Sequence, residues 1–257
     1  MKNKLEKLSG ILGLSLSLAR ANFKLRNEGS YLGIFWYLLN PLALFLIILF
    51  IKGAAFSTVP IKFYPLYLFL GIIMYNFFSK ILTSAITIIE KNGGLIKSIK
   101  INYEPFVISE VLEATFSHVF EIFLLIILMI SSGVPLWGII YYFIIFIIFC
   151  LFILGVALIF SIVGAYIKDF SNIWVIATQL LFFITPIFYL LKGDTWLYKI
   201  NLLNPLYYFL SIARDVTIYG KMPELYIIAG TFFFSITFFM VGIIIFNKFK
   251  SKLAELI

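Results

Sequence analysis

Apolar stretches of about 20 residues recur from one end of the chain to the other, each long enough to cross roughly 30 Å of hydrocarbon as a helix. Leu, Ile and Phe fill them without the two-residue alternation of a membrane barrel strand, so helices rather than a closed barrel are expected. The pattern predicts a first span over 34–56, kinked at Asn40-Pro41, and a second over 64–89. A third runs from Pro105 to Ser131, and a Gly133-Val134-Pro135 turn reverses it into a fourth ending near Gly164. A fifth covers 173–191, interrupted by Thr185-Pro186, and a sixth covers 225–246.

The polar positions divide these runs. Before the first span, Leu5, Leu8, Leu12, Leu16, Ala19 and Phe23 recur at helical spacing while Lys4, Lys7, Asn22 and Lys24 fall elsewhere, which predicts an amphipathic helix lying on the membrane surface. A secretory leader, with Lys2 to Lys7 preceding an apolar run and Ala19-Arg20-Ala21, is the competing reading. After the second span, Gly93 and Gly94 should break the helix within the polar stretch from Glu90 to Lys100. Between spans five and six, Trp196, Tyr198, Tyr207 and Tyr208 suit interfacial depth, and Asn204-Pro205 separates two short re-entrant helices. Most Lys and Arg residues, including the N-terminal set, Lys91, Lys97, Lys168 and Lys248, fall on one side if both termini are cytoplasmic. The expected fold is an all-α polytopic membrane protein of six spans forming one domain over 1–257: an interface helix in 1–33, a bundle in 34–247 and a cytoplasmic tail in 248–257.

Composition narrows the chemistry. With 63% hydrophobic and 12% charged residues among 257, the bilayer has to be the main solvent. The net charge of +8 lies in short connections where it sets topology, so nucleic acid is not an expected partner. A single cysteine, Cys150, rules out an intrachain disulfide, and one histidine, His118, argues against a clustered metal site. Neither GxxxxGK[ST], HExxH nor GxSxG occurs, so no catalytic residue, resident cofactor or metal is expected in this chain.

Span three carries the one unusual feature. Glu110, Glu113, Ser117 and Glu121 share a helical face, with His118 beside it. Either they line a pathway or proton relay, or Glu110 and Glu113 sit at headgroup level while Glu121 and His118 are satisfied inside the bundle. Trp36, Tyr37 and Tyr189 are further candidates for pathway lining. Lys52 and Lys80 are expected to snorkel towards opposite surfaces, and Arg214 to pair with Asp215 on an interfacial helix.

Several segments, in order, resemble the permease subunits of type-2 ABC exporters of lipid-linked polysaccharides, the Wzm/TagG-like family of O-antigen, capsule and teichoic-acid permeases. These are Leu32-Gly33-Ile34-Phe35-Trp36 followed by Pro41, the stretch Glu90-Lys91-Asn92-Gly93-Gly94-Leu95-Ile96-Lys97, Pro186-Ile187-Phe188-Tyr189, Asn204-Pro205 with Arg214 and Gly220, and Phe246 through Ala254-Glu255-Leu256-Ile257. Glu104 stands where the family often has a hydrophobic residue before Pro105, and span three is more acidic than the family pattern. The resemblance implies a homodimer in the bacterial inner membrane, bound to two copies of a cytoplasmic ATPase that holds ATP and magnesium. It implies that Glu90 to Lys97 form the ATPase-coupling segment and that a path opens between two copies of spans one and five.

The implied cargo is an undecaprenyl-pyrophosphate-linked glycan such as O-antigen, and Arg20, Lys24 and Arg26 are candidates to meet its pyrophosphate first. A drug or small-lipid ABC exporter, an ion-coupled carrier using the span-three acids, and a polyprenyl transferase are the alternatives. If the acidic face is a packing feature, Glu121→Gln inserts normally and leaves transport largely intact in a cell-based export assay; complete loss would mark a relay.

Overall fold

The computed structural model describes residues 2–28, 31, 33–55, 61–99, 103–191, 193 and 195–253, all of them helix or connection. Helix α1 (Lys2–Asn27) is followed by a 3-10 turn, Gly33–Phe35, and α2 (Trp36–Ala55). Then come α3 (Tyr64–Lys91), the short α4 (Gly93–Ile99), α5 (Glu104–Ser131), α6 (Gly138–Tyr166) and α7 (Phe170–Ile184). Two short helices, α8 (Trp196–Asn201) and α9 (Pro205–Thr217), precede α10 (Leu225–Phe249) and a 3-10 turn at Lys250–Lys252. Four helices, α3, α5, α6 and α10, are long and apolar enough to cross a membrane; stretches within α2 and α7 (Trp36–Lys52 and Phe170–Ile184) are shorter apolar helices.

The boundaries follow local chemistry. Pro65 and Pro105 sit in the first turns of α3 and α5, where a missing N–H is tolerated. Gly133 closes α5 at φ +67°, a conformation that costs glycine little, and the Val134 amide reaches back to the Met129 carbonyl. Asn204 caps α9 by accepting from the Leu206 amide, with Pro205 at the first helical position.

Helix α3 is the hub. It touches α2, α5, α6, α7 and α9, and from Leu66 to Met74 its residues are buried on every side. Against it, α6 brings Gly164 onto the Ile86 carbonyl, and α6 crosses α10 where Gly155 meets Gly242 backbone to backbone. Small residues let helices approach closely where no water drives them together. Helix α1 packs along α5 with Ser15 and Ala19 buried; of the expected apolar stripe Ala19 and Phe23 face the bundle, while Leu12 is exposed. The Leu5 and Leu8 side chains lie outside the described set.

Several expectations are corrected. The second span's helix runs on to Lys91 and turns at Asn92, whose amide nitrogens both reach the Ile88 carbonyl; Gly93 and Gly94 begin α4 instead of breaking α3. The fifth helix starts at Phe170 and ends at Ile184, so Thr185-Pro186 terminates it. The last helix extends to Phe249, beyond the expected tail boundary, and Lys250 pairs with Glu104 at 2.6 Å, tying the end of α10 to the start of α5. Residues 254–257, including the family-like ending, and Lys100 lie outside the described residues.

The largest correction concerns Arg214. It does not pair with Asp215 but is buried, 4% exposed, with its guanidinium 3.5 Å from the centre of the Tyr67 ring. Nη1 donates to the Pro186 carbonyl at 2.7 Å, and Nη2 to the carbonyls of Ile187 at 2.8 Å and Tyr67 at 3.2 Å. After Ile184 the chain is irregular, and its carbonyls need donors. Besides Arg214, the Tyr67 hydroxyl donates to Tyr189 at 2.7 Å, Tyr64 donates to Phe188 at 3.1 Å, and Asn201 donates to Ile184 at 2.9 Å. Gly71 is required here, because a Cβ would collide with the Arg214 guanidinium and the Ile187 carbonyl.

Arg214→Leu leaves the buried Ile187 carbonyl without its donor and the Pro186 carbonyl with the Tyr67 hydroxyl alone, and should cost about 3 kcal/mol. The expected result is a markedly lower midpoint for thermal unfolding in detergent, followed by size-exclusion chromatography. Arg214→Lys should recover only part of it, since one ammonium does not reproduce the guanidinium fork.

Candidate functional site

A polar cavity of about 520 Å³ opens between the end of α1, the start of α2 and the middle of α3 and α5. It is assembled from polar positions at helical spacing. Helix α3 offers Asn76, Ser79 and Lys80; α5 offers Ser117, His118 and Glu121; α2 offers Trp36, Tyr37 and Asn40; α1 contributes Arg26. Residues three or four apart on a helix stack on one face, so two otherwise apolar helices meet along matching polar stripes.

The charged groups are individually placed. Arg26 Nη1 donates to Glu113 Oε1 at 3.2 Å, fastening the end of α1 to α5. Phe23 stacks on Tyr37 at 5.8 Å and meets Phe116 edge-on, so the same fastening is apolar as well as ionic. His118 is buried, stacked 4.7 Å from Phe146, with Nδ1 2.5 Å from Glu121 Oε2 and Nε2 2.7 Å from the Tyr142 hydroxyl. With Glu121 ionised, Nδ1–H donates to it and Nε2 accepts the Tyr142 proton, which fixes the ring. Lys80 Nζ donates to Ser117 Oγ at 3.1 Å and stands 5.0 Å from the centre of the Tyr37 ring. It therefore turns into the bundle and does not snorkel; Lys52 lies over the Tyr64 ring.

Of the candidate lining residues, Trp36, Tyr37 and Glu121 border the cavity. Glu113 reaches it only through its ion pair with Arg26, while Glu110 is outside the lining, beside Ser84. Glu113 is buried, 7% exposed, against the end of α1. Tyr189 is elsewhere: its hydroxyl donates to the carbonyls of Phe183 and Ile184, closing the end of α7. Of the three candidate cations on α1, only Arg26 reaches the cavity; Arg20 is exposed, and Lys24 pairs with Glu28 at 3.5 Å.

The candidate coupling segment is a helix-turn-helix corner. Glu90 and Lys91 are exposed at the end of α3, Asn92 makes the turn, and Gly93 to Lys97 lie in α4. Ile96 is buried and anchors α4, whereas Gly94 and Leu95 face outward; the Lys97 side chain is outside the described set. Asn40, Asn76, Lys80 and Tyr142 were not recognised as site residues from sequence. For α3 the signal was present, since Asn76, Ser79, Lys80 and Thr83 form a polar stripe in an otherwise apolar helix.

Residues 14–218 match the ABC-2 type transporter family. The chain is 26% identical over 259 residues to the O-antigen export system permease protein RfbA of Klebsiella pneumoniae, covering 97% of each chain. It is 29% identical over 211 residues to the polysialic acid transport protein KpsM of Escherichia coli, covering 75% of this chain and 76% of that one. A permease of the first name from Myxococcus xanthus is 24% identical over 178 residues, 69% of this chain and 68% of that one.

The Arg26–Glu113 pair makes a prediction about α1. Glu113→Gln weakens the link that holds the end of the helix, so trypsin should cut after Arg20 and Lys24 several-fold faster than in the parent protein, read by mass spectrometry under limited digestion.

Proposed function

The chain belongs to the ABC-2 type transporter family, and on that footing we propose that it is the permease subunit of an ATP-driven exporter of lipid-linked polysaccharide. The observation that carries the cargo class is the similarity to an O-antigen export permease over 97% of both chains. The cavity supports it: cations, amides and the rings of Trp36 and Tyr37 suit a cargo with both an anionic group and sugars.

In this reading six helices cross the membrane, α2, α3, α5, α6, α7 and α10, with both termini in the cytoplasm and α8 and α9 re-entrant from the outer face. Helix α7 has 15 residues, about 22 Å, short of the roughly 30 Å core. The irregular stretch from Thr185 to Leu191 supplies the remaining length, and its carbonyls are satisfied by protein donors, as backbone at that depth requires. Exposed apolar faces on α2 (Leu39, Leu46, Phe50) and α7 (Ile173, Ile176, Leu180, Phe183) suit a second copy of the chain across a central path. The working assembly is a homodimer of permeases in the inner membrane with two cytoplasmic ATPases, which bind the ATP and magnesium. The permease performs no covalent chemistry. The ATPases act on α1 and on the corner from Glu90 to Lys97.

Co-expression with the ATPase encoded beside it, and purification through a tag on this chain alone, should retain the ATPase near stoichiometrically with vanadate-sensitive ATP hydrolysis. A well-folded permease that retains no ATPase would overturn the exporter reading.

A further inference from the structure

The two cations of the cavity are held differently. Arg26 holds Glu113 and His118 holds Glu121, so both carboxylates at the cavity are engaged. Lys80 is different: among the described residues no carboxylate lies within 4.0 Å of its ammonium, and its one hydrogen-bond partner is the neutral Ser117 hydroxyl. An ammonium has three N–H donors, so two remain for something in the cavity. It stands about 16 Å from the end of α3 at Lys91, taking ~1.5 Å per residue, where an unpaired charge is expensive to hold. Tyr37, on the same wall, has a buried hydroxyl with no hydrogen-bond partner among the described residues.

We infer that this cavity is a phosphate site, in which the Lys80 ammonium and the Tyr37 hydroxyl donate to the phosphate oxygens of a polyprenyl-phosphate-linked glycan. The assignment rests on the exporter reading above and adds the residues that would take the charged junction of the cargo. A metal cation is the wrong occupant, because neither carboxylate is free to ligate it. A neutral sugar alone offers the ammonium's two remaining donors only weak acceptors, whereas phosphate oxygens form charge-assisted bonds to both. The amides of Asn40 and Asn76 and the exposed Trp36 indole border the same space, where the first sugar beyond the phosphate would lie. A volume of about 520 Å³ admits a phosphate and a sugar but not a long glycan, so the chain of sugars must leave through the open side.

The test uses the permease–ATPase complex in nanodiscs, with amine acetylation of each lysine followed by mass spectrometry. Undecaprenyl pyrophosphate should slow acetylation of Lys80 several-fold and leave exposed Lys24 unchanged, while undecaprenol, lacking phosphate, should do nothing. Protection by inorganic pyrophosphate at the same concentration assigns the site to a free phosphate and protection by the lipid alone assigns it to the headgroup; protection by neither overturns the site. In parallel, Lys80→Gln should weaken binding of undecaprenyl pyrophosphate about tenfold, the equivalent of one charge-assisted hydrogen bond, while Lys80→Arg stays within about threefold. Unchanged affinity in Lys80→Gln overturns the assignment. A complex that retains its ATPase but shows no protection sinks the phosphate site alone, whereas protection in a permease that retains no ATPase keeps the site and sinks the exporter.

Discussion

The guanidinium of Arg214 is the constraint around which the far half of the bundle is organised. Helix α7 stops at Ile184, and the carbonyls of the residues that follow have no helical partner. In an apolar surrounding each would be costly, and that cost would push the chain to continue as helix. Three carbonyls, from Pro186, Ile187 and Tyr67, converge on one guanidinium, and among the described residues no carboxylate lies within 4.0 Å of it. Its charge is balanced by dipoles: it sits in the last turn of α9 and just past the end of α7, where both helices present their negative ends. A positive side chain and a broken helix are each unfavourable in a buried apolar setting, and each removes the other's penalty.

The same helix serves this lock and the cavity. The first half of α3 supplies Tyr64, Tyr67 and the bare backbone at Gly71 to the irregular segment after α7, while Asn76 and Lys80 follow within three turns on the same element. Because α3 is buried on nearly every side between those points, it has little freedom to rotate. Lys80 is therefore held by a rigid element, the arrangement that preorganises a binding group. His118 plays the equivalent part on α5, pinned between Phe77 and Phe146 and bonded at both nitrogens.

The four long apolar helices, the Gly133 reversal and the Asn204-Pro205 start of α9 were legible because each depends on local chemistry: apolar run length, a left-handed glycine, a cap followed by proline. What escaped was set by contacts distant in sequence. Arg214 next to Asp215 reads as a local pair, yet its partners lie 27, 28 and 147 residues away. Lys80 reads as a snorkelling residue because nothing near it in sequence says that α5 places Ser117, and α2 places Tyr37, opposite it. The glycines after Asn92 were misread for another reason: glycine permits a break but does not force one, and the turn is made by the Asn92 side chain on the Ile88 carbonyl.

Helix α1 differs from the rest in what holds it. The other helices are bound by broad apolar faces and glycine crossings, whereas the end of α1 is held by one half-exposed ion pair, Arg26 to Glu113, and by Phe23 against Tyr37 and Phe116. Tyr37 is also the ring beside Lys80, so the contact that fastens α1 forms a wall of the cavity. Any shift of α1 along α5 has to move Phe23 off that ring and Arg26 off Glu113, and frees a carboxylate next to the unpaired ammonium. Helix α1 and the cavity wall thus meet in one aromatic contact, so a displacement of α1 cannot leave the surroundings of Lys80 unchanged.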